Sequence, residues 1–373
     1  MSKPFLSQSL PFSWPNFPGC GGIIKKNPED FIVEEIPSYL PSGTGEHLYL
    51  WIEKRELSTD RASEHLAKVL NLNKHAIGIA GKKDSIAISR QWVSLHTPLE
   101  PNKEDLEIEG LKILKISRHE NKLRLGHLKG NKFVINIRSA DKPIEFDALI
   151  EKIGTKGFPN YFGIQRIGDE GRNAISGQRR VKQGFKGPGG LNRIRFETNA
   201  YQSALFNFIV SKHILAKGCL DTLWEGDIAC LHHSAGFFHV NSDDIETANE
   251  RSKLGELSPS APLFGYKVPL AFGESGKWET EVLVSEQLTP ESFRARGKKY
   301  SPKGERRPIR QIPKDLKYTW IEDSGEYLLT LDFILSPGTY ATSLLREITK
   351  IDTIPNPFPE LSNNGDLERV EKP

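Results

Sequence analysis

Asp84 closes the segment Gly81-Lys82-Lys83-Asp84, between a short apolar run (Ala76 to Ala80) and a strand-like run (Ile86 to Leu95). Two adjacent lysines favour the ionised form of its carboxyl group. An ionised carboxylate suits nucleophilic attack or charge stabilisation better than proton donation. The same residue also makes a good turn aspartate, capping its own loop by accepting hydrogen bonds from nearby N–H groups. Residue type and spacing leave both readings open. A glycoside or nucleoside hydrolase would pair Asp84 with a second carboxylate, and Glu29, Asp30, Glu34 and Glu35 are the formal partners.

Other constellations carry less chemistry. Cys230-Leu231-His232-His233 with His239 offers a single cysteine, and adjacent histidines on a strand do not readily share one metal, so ordinary strand and loop histidines are the better reading. Gly187-Pro188-Gly189-Gly190 has neither the GxGxxG nor the GxxxxGK[ST] spacing of a nucleotide loop. Two basic clusters stand out. Arg294, Arg296, Lys298, Lys299, Lys303, Arg306, Arg307 and Arg310 face one acid, Glu305, and Arg179, Arg180, Lys182, Lys186, Arg193 and Arg195 face none. Phe185, Phe196, Tyr201, Phe293 and Tyr300 are interleaved with them. Phosphate neutralisation and stacking on unpaired bases require this combination, whereas solvated loops require only the charge.

The elements that must position these residues divide the chain. From Gly21 to Arg138 the pattern is strand-like, with Phe31 to Val33, His47 to Ile52, Ala76 to Ala80, Ile86 to Leu95, Lys122 to Leu128 and Lys132 to Ile137 as strands. Lys129-Gly130-Asn131 reads as a turn, and Ser58 as the N-cap of a helix from about Arg61 to Leu70. Gly184 to Asn192 reads as a loop before a buried helix, Tyr201 to Lys217, which ends at Gly218. Pro290 to Pro313 reads as a basic connector. Strands over Tyr318 to Ile321 and Tyr327 to Leu335 follow, then a helix over Ala341 to Thr349 and a loose tail from Asp352. The simplest architecture is a β-rich domain built from both chain ends and interrupted by a central insertion.

At 373 residues the chain accommodates two domains. Three scattered cysteines (Cys20, Cys219, Cys230) fit a reducing compartment. The proline-broken N-terminus does not read as a signal peptide, and no apolar run approaches the roughly 20 residues that span a bilayer. The cytoplasm is the expected location, with no membrane association and no obligatory protein partner, and a monomer is expected.

Six blocks of sequence, in order, resemble the TruD family of tRNA pseudouridine synthases. They are Asn27 to Glu35 (NPEDFIVEE), Ala80 to Asp84 with Gln91-Trp92, Arg118-His119 with Lys122 to Phe133, Pro159 to Gly168 (PNYFGIQRIG), Ser203 to Asn207, and Pro337 to Glu347. The resemblance implies an α+β fold: a pseudouridine synthase-type catalytic domain with a bent, mainly antiparallel sheet, interrupted by a family-specific α/β insertion. The catalytic domain would comprise residues 1–158 and 315–351, the insertion 159–314, and the tail 352–373. It further implies isomerisation of a tRNA uridine to pseudouridine, at position 13 in the bacterial family, with tRNA as partner and no cofactor or metal. By the same resemblance Asp84 is the nucleophile, and Phe31, Asn131 and Tyr340 contact the substrate, Tyr340 where the family is expected to carry Phe. Lys25 matches the basic residue beside the catalytic aspartate, although next to Lys26 it reads equally as a surface lysine.

Overall fold

The computed structural model describes residues 10–83, 86–232, 234, 236–295, 300–355 and 357. The chain is α+β with mainly antiparallel sheets and forms two compact units. One consists of Cys20–Pro143 and Pro313–Thr339, the other of Met1–Gly19, Ile144–Ile312 and Tyr340–Pro373. No helix among the described residues is long and apolar enough to cross a membrane.

The first unit is built on one large sheet. Its strands run in the order Lys314–Asp323, Glu326–Leu335, Leu128–Ala140, Phe31–Pro37, Ile88–His96, His47–Arg55, Leu111–His119. Every neighbouring pair in this path is antiparallel except Phe31–Pro37 with Ile88–His96, which is parallel. Side chains alternate between the faces of a sheet, so register alone decides which residues meet. Glu35 lies opposite Asn131, Val33 opposite Phe133, and Phe133 opposite Phe333, all on one face. The helix Thr59–Val69 covers part of that face. It begins where Ser58 Oγ accepts from the Arg61 N–H at 3.2 Å, and it buries Ala62 and Leu66 against Leu48, Leu50, Ile52, Val93 and Leu95.

Lys129-Gly130-Asn131 is not a turn. It lies inside the continuous strand Leu128–Ala140, and residues 122–127 are not a strand. A local glycine signal gave way to pairing on both sides. Gly130 is needed there because a Cβ would stand 2.6 Å from the carbonyl oxygen of Leu335 on the neighbouring strand.

The second unit packs helices against small antiparallel sheets. Its central helix, Leu191–Lys217, starts ten residues before the expected Tyr201 and ends at Gly218, whose φ of 65° is the left-handed C-cap conformation. The extra turns carry Glu197, buried against Arg180 of the helix Arg172–Lys182 and 2.8 Å from Arg193. These two helices cross so closely that a Cβ on Gly177 would meet the Glu197 carbonyl oxygen at 2.0 Å. The segment expected to be a basic connector contributes the strands Glu305–Pro308 and Arg310–Gln311, paired with Leu257–Leu263 and Phe158–Pro159.

The turn that launches the Phe31–Pro37 strand is fixed by one buried carboxylate. Asp30 accepts from the Asn27 N–H at 2.9 Å and from Arg138 Nε at 2.9 and 3.0 Å. Burial pushes the Asp30 carboxyl up, but Arg138 and the Asn27 amide outweigh it and hold the group below the usual carboxylate range. A depressed carboxylate stabilises the fold above its unfolded value, about pH 4, and loses that contribution as pH falls through the folded value. Asp30→Asn should therefore lower the melting temperature at pH 7 and flatten the acid-side loss of stability below about pH 4. Calorimetry at several pH values checks this, and parallel pH profiles for the two proteins would contradict it.

Candidate active site

Asp84, with Ser85, lies outside the described residues. The structure does describe the chain that leads to it. The Gly126 N–H donates to the Ala80 carbonyl at 2.9 Å, and Gln91 Nε2 donates to the Gly81 carbonyl at 3.1 Å. The Lys83 N–H donates to Thr59 Oγ1 at 3.1 Å, and that hydroxyl donates to Gln91 Oε1 at 3.1 Å. The Lys83 ammonium donates to Asn131 Oδ1 and stands 3.6 Å from Glu35 Oε2. Lys82 pairs instead with Asp60 at 2.7 Å on the exposed side.

Glu35 and Lys83 are both removed from water, with side chains 0% and 6% exposed. Burial pushes Glu35 up from the usual carboxylate range, opposed by Lys83 and the Trp92 N–H. Burial pushes Lys83 down, opposed by Glu35. The four acids that would serve a two-carboxylate hydrolase are each engaged by a cation. Glu29 pairs with Arg55, Asp30 with Arg138, Glu34 with Arg90 at 3.2 Å, and Glu35 with Lys83.

Phe31 and Lys25 occupy the same unit. Phe31 is buried edge-on to Phe133, with ring centroids 6.1 Å apart, and Phe133 stacks on Phe333 at 5.3 Å. The Lys25 ammonium lies 4.2 Å from the centre of the Phe31 ring, within cation–π range. Its φ of 58° puts it in the left-handed region, so the backbone turns sharply there.

Tyr340 belongs to the second unit and is half-buried. Its ring meets Phe162 edge-on at 5.6 Å, and its hydroxyl oxygen is 3.4 Å from Arg166 Nε. The Arg307 guanidinium lies 4.2 Å from the Phe162 ring centre and donates to Asn160 Oδ1 at 2.6 Å. Burial lowers the Arg307 pKa to about 10. Asn207 grips the same segment from the central helix: its Oδ1 accepts from the Phe162 N–H at 2.8 Å and its Nδ2 donates to the Phe162 carbonyl at 2.9 Å. Three of the sequence blocks, around Asn160, Asn207 and Tyr340, thus form one packed cluster.

The basic clusters are only partly available to a ligand. Arg306 is buried against Glu279 at 2.8 Å, and Arg310 is buried among the carbonyls of Lys156, Ser252 and Leu257. Arg180 is spent on Glu197. Arg179, Lys182, Lys186, Arg193, Arg195, Arg294 and Lys303 are exposed, while Arg296, Lys298, Lys299 and His233 lie outside the described residues.

The family model for tRNA pseudouridine synthase D (TruD) matches residues 13–187 and 194–348. The chain belongs to this family. It is 42% identical over 356 residues to a tRNA pseudouridine synthase D of Thermus thermophilus, covering 95% of this chain and 96% of the relative. It is 35% identical over 399 residues to the protein of that name from Geobacter sp. M21, covering 90% and 98%. A crystal structure assigned to TruD of Methanosarcina mazei matches with a TM-score of 0.73 at 26% identity, covering 92% of this chain and 96% of that one. Membership in the TruD family accounts for the six blocks in their order. The sequence offers Glu35 as a formal carboxylate partner of Asp84, Gln91 as a motif member and Thr59 beside a helix cap; their joint hold on residues 81–83 depends on which strands are neighbours.

Asn207→Leu should leave the buried Phe162 N–H and carbonyl without partners, at about 1–3 kcal/mol each. Urea unfolding measures this, and a loss below about 0.5 kcal/mol would rule out a structural role for the Asn207 grip.

Proposed function

We propose that the protein converts uridine to pseudouridine in tRNA, at position 13, with Asp84 as the nucleophile. The observation that carries this reading is membership in the tRNA pseudouridine synthase D family together with the GKKD motif, whose Gly81 and Lys83 are held by the sheet and by Thr59 of the helix Thr59–Val69. On this reading residues 1–158 and 315–351 form the catalytic domain, 159–314 the family insertion and 352–373 a tail. The enzyme acts in the cytoplasm as a monomer.

The reaction breaks the C1′–N1 bond, turns the uracil and forms a C5–C1′ bond. The proton on C5 is lost and N1 gains one, so the product is an isomer. An ionised Asp84 attacks C1′, stabilises the charge that develops there, or takes the C2′ proton. Lys25 is the basic residue that keeps the carboxylate ionised. Extruding the base costs a few kcal/mol. Phe31 and Tyr340 offset this by stacking, worth about 1–3 kcal/mol per base, and Asn131 supplies a polar contact near the substrate. The exposed members of the basic clusters neutralise tRNA phosphates.

Three measurements test the reading. Asp84→Asn should bind tRNA as the wild type does but release no tritium from 5-³H-uridine tRNA; normal release removes Asp84 from the mechanism. Tyr340→Phe should retain activity, whereas Tyr340→Ala should lose about 5- to 150-fold, corresponding to one stacking contact. Mass-spectrometric mapping of the product then decides the position, and pseudouridine elsewhere than position 13 overturns that part.

A further inference from the structure

Four acids lie in the Asn27 to Glu35 block, and each has a cationic partner. Only the Glu35–Lys83 pair is closed to water at both ends. The partners of Glu29 and Glu34 are half-exposed like the acids themselves, and Arg138, the partner of Asp30, is 37% exposed. An ion pair buried at both ends is costly, and a hydrophobic pair of the same volume is often as stable or more so. Stability alone therefore does not account for it.

Its geometry does. Glu35 Oε1 accepts from the Trp92 N–H at 3.3 Å, which ties the carboxylate to the parallel neighbour strand. Glu35 Oε2 has no hydrogen-bond partner among the described residues and faces the Lys83 ammonium. That ammonium is also held by Asn131, the residue opposite Glu35 in register on the other neighbouring strand. The Lys83 side chain is thus fixed by two central strands of a rigid sheet, and its backbone N–H by Thr59 at the start of a helix. Lys83 directly precedes Asp84 in the chain.

We propose that Glu35 is a positioning residue for the isomerisation: together with Asn131 it holds Lys83 and so fixes the backbone from which Asp84 extends. This rests on the reading of Asp84 as the nucleophile. It gives Asn131 an anchoring role in addition to any contact with substrate. It also removes Lys83 from the residues that neutralise phosphate.

The test is the double variant Glu35→Gln/Lys83→Met, which keeps the volume and removes both charges. It should melt at or above the wild-type temperature, bind tRNA with unchanged affinity, and lose about 100-fold in single-turnover rate, the scale of a misplacement near 1 Å. Amide hydrogen exchange at residues 81–83 should become faster. A stable double variant with wild-type turnover overturns the proposal, because a merely structural pair would give that result. Asn131→Leu removes the second anchor and leaves the ion pair, so a loss of about tenfold in single-turnover rate at saturating tRNA is expected, whatever its substrate contact takes from tRNA affinity. Weakened tRNA affinity with an unchanged rate would make Asn131 a substrate contact only and overturn its anchoring role. Asp84→Asn is assayed in parallel. Normal turnover there would remove the nucleophile, and exchange of the backbone amide at position 83 in the double variant would then judge the anchor: faster exchange upholds it, unchanged exchange overturns it.

Discussion

The register of the Phe31–Pro37 strand between its two neighbours decides what meets on one face of the large sheet. It sets Glu35 opposite Asn131 and leaves Phe31 beside Phe133. A slip of one residue would turn Glu35 to the other face and bring Glu34 and Ile36 in its place. The turn before the strand guards against this. Asn27, Asp30 and Arg138 lock the entry to the strand, and Ile23–Ile24 pairs with the same Leu128–Ala140 strand just beyond it. Lys83 can then reach a carboxylate and an amide that the sheet already holds in place.

Much of this was legible in sequence. The apolar, β-branched and aromatic runs Phe31 to Val33 and His47 to Ile52, the Ser58 cap and the Gly218 stop are local signals, and local interactions decide them. The Lys129-Gly130-Asn131 segment failed as a turn because its glycine answers to a distant carbonyl, that of Leu335, which no local pattern displays. The first ten residues of the Leu191–Lys217 helix failed for a similar reason. Glycines precede them and polar residues fill them, and it is Arg180 on another helix that makes Glu197 a core residue. At the candidate site the motif pointed to Asp84, Phe31 and Asn131, but the partnership of Lys83 with Glu35 depends on which strands are neighbours.

The arginines of the second unit show the same dependence in charge. A count of basic residues treats Arg306, Arg307 and Arg310 as three equal claims on phosphate. In the fold, Arg306 neutralises a buried acid, Arg310 gathers backbone carbonyls that would otherwise be orphaned, and Arg307 lies on aromatic rings beside Tyr340. Guanidinium groups suit all three tasks because they are planar, carry several donors and are weakly hydrated. Lysines would serve poorly there, and Lys182, Lys186 and Lys303, the described lysines of the same segments, are on the surface.

The pairing of Leu128–Ala140 with Glu326–Leu335 has a consequence for biosynthesis. The first of these strands leaves the ribosome long before the second, since residues 144–312 are made between them. At 5–20 residues per second that interval is roughly 10–30 s. Throughout it the nascent sheet carries an open edge rich in Val, Ile and Phe, of the kind that recruits other strands. Lys129 and Lys132 lie along that edge, and lysines on an edge strand are of the kind that disfavours pairing with another copy before the chain's last strands arrive.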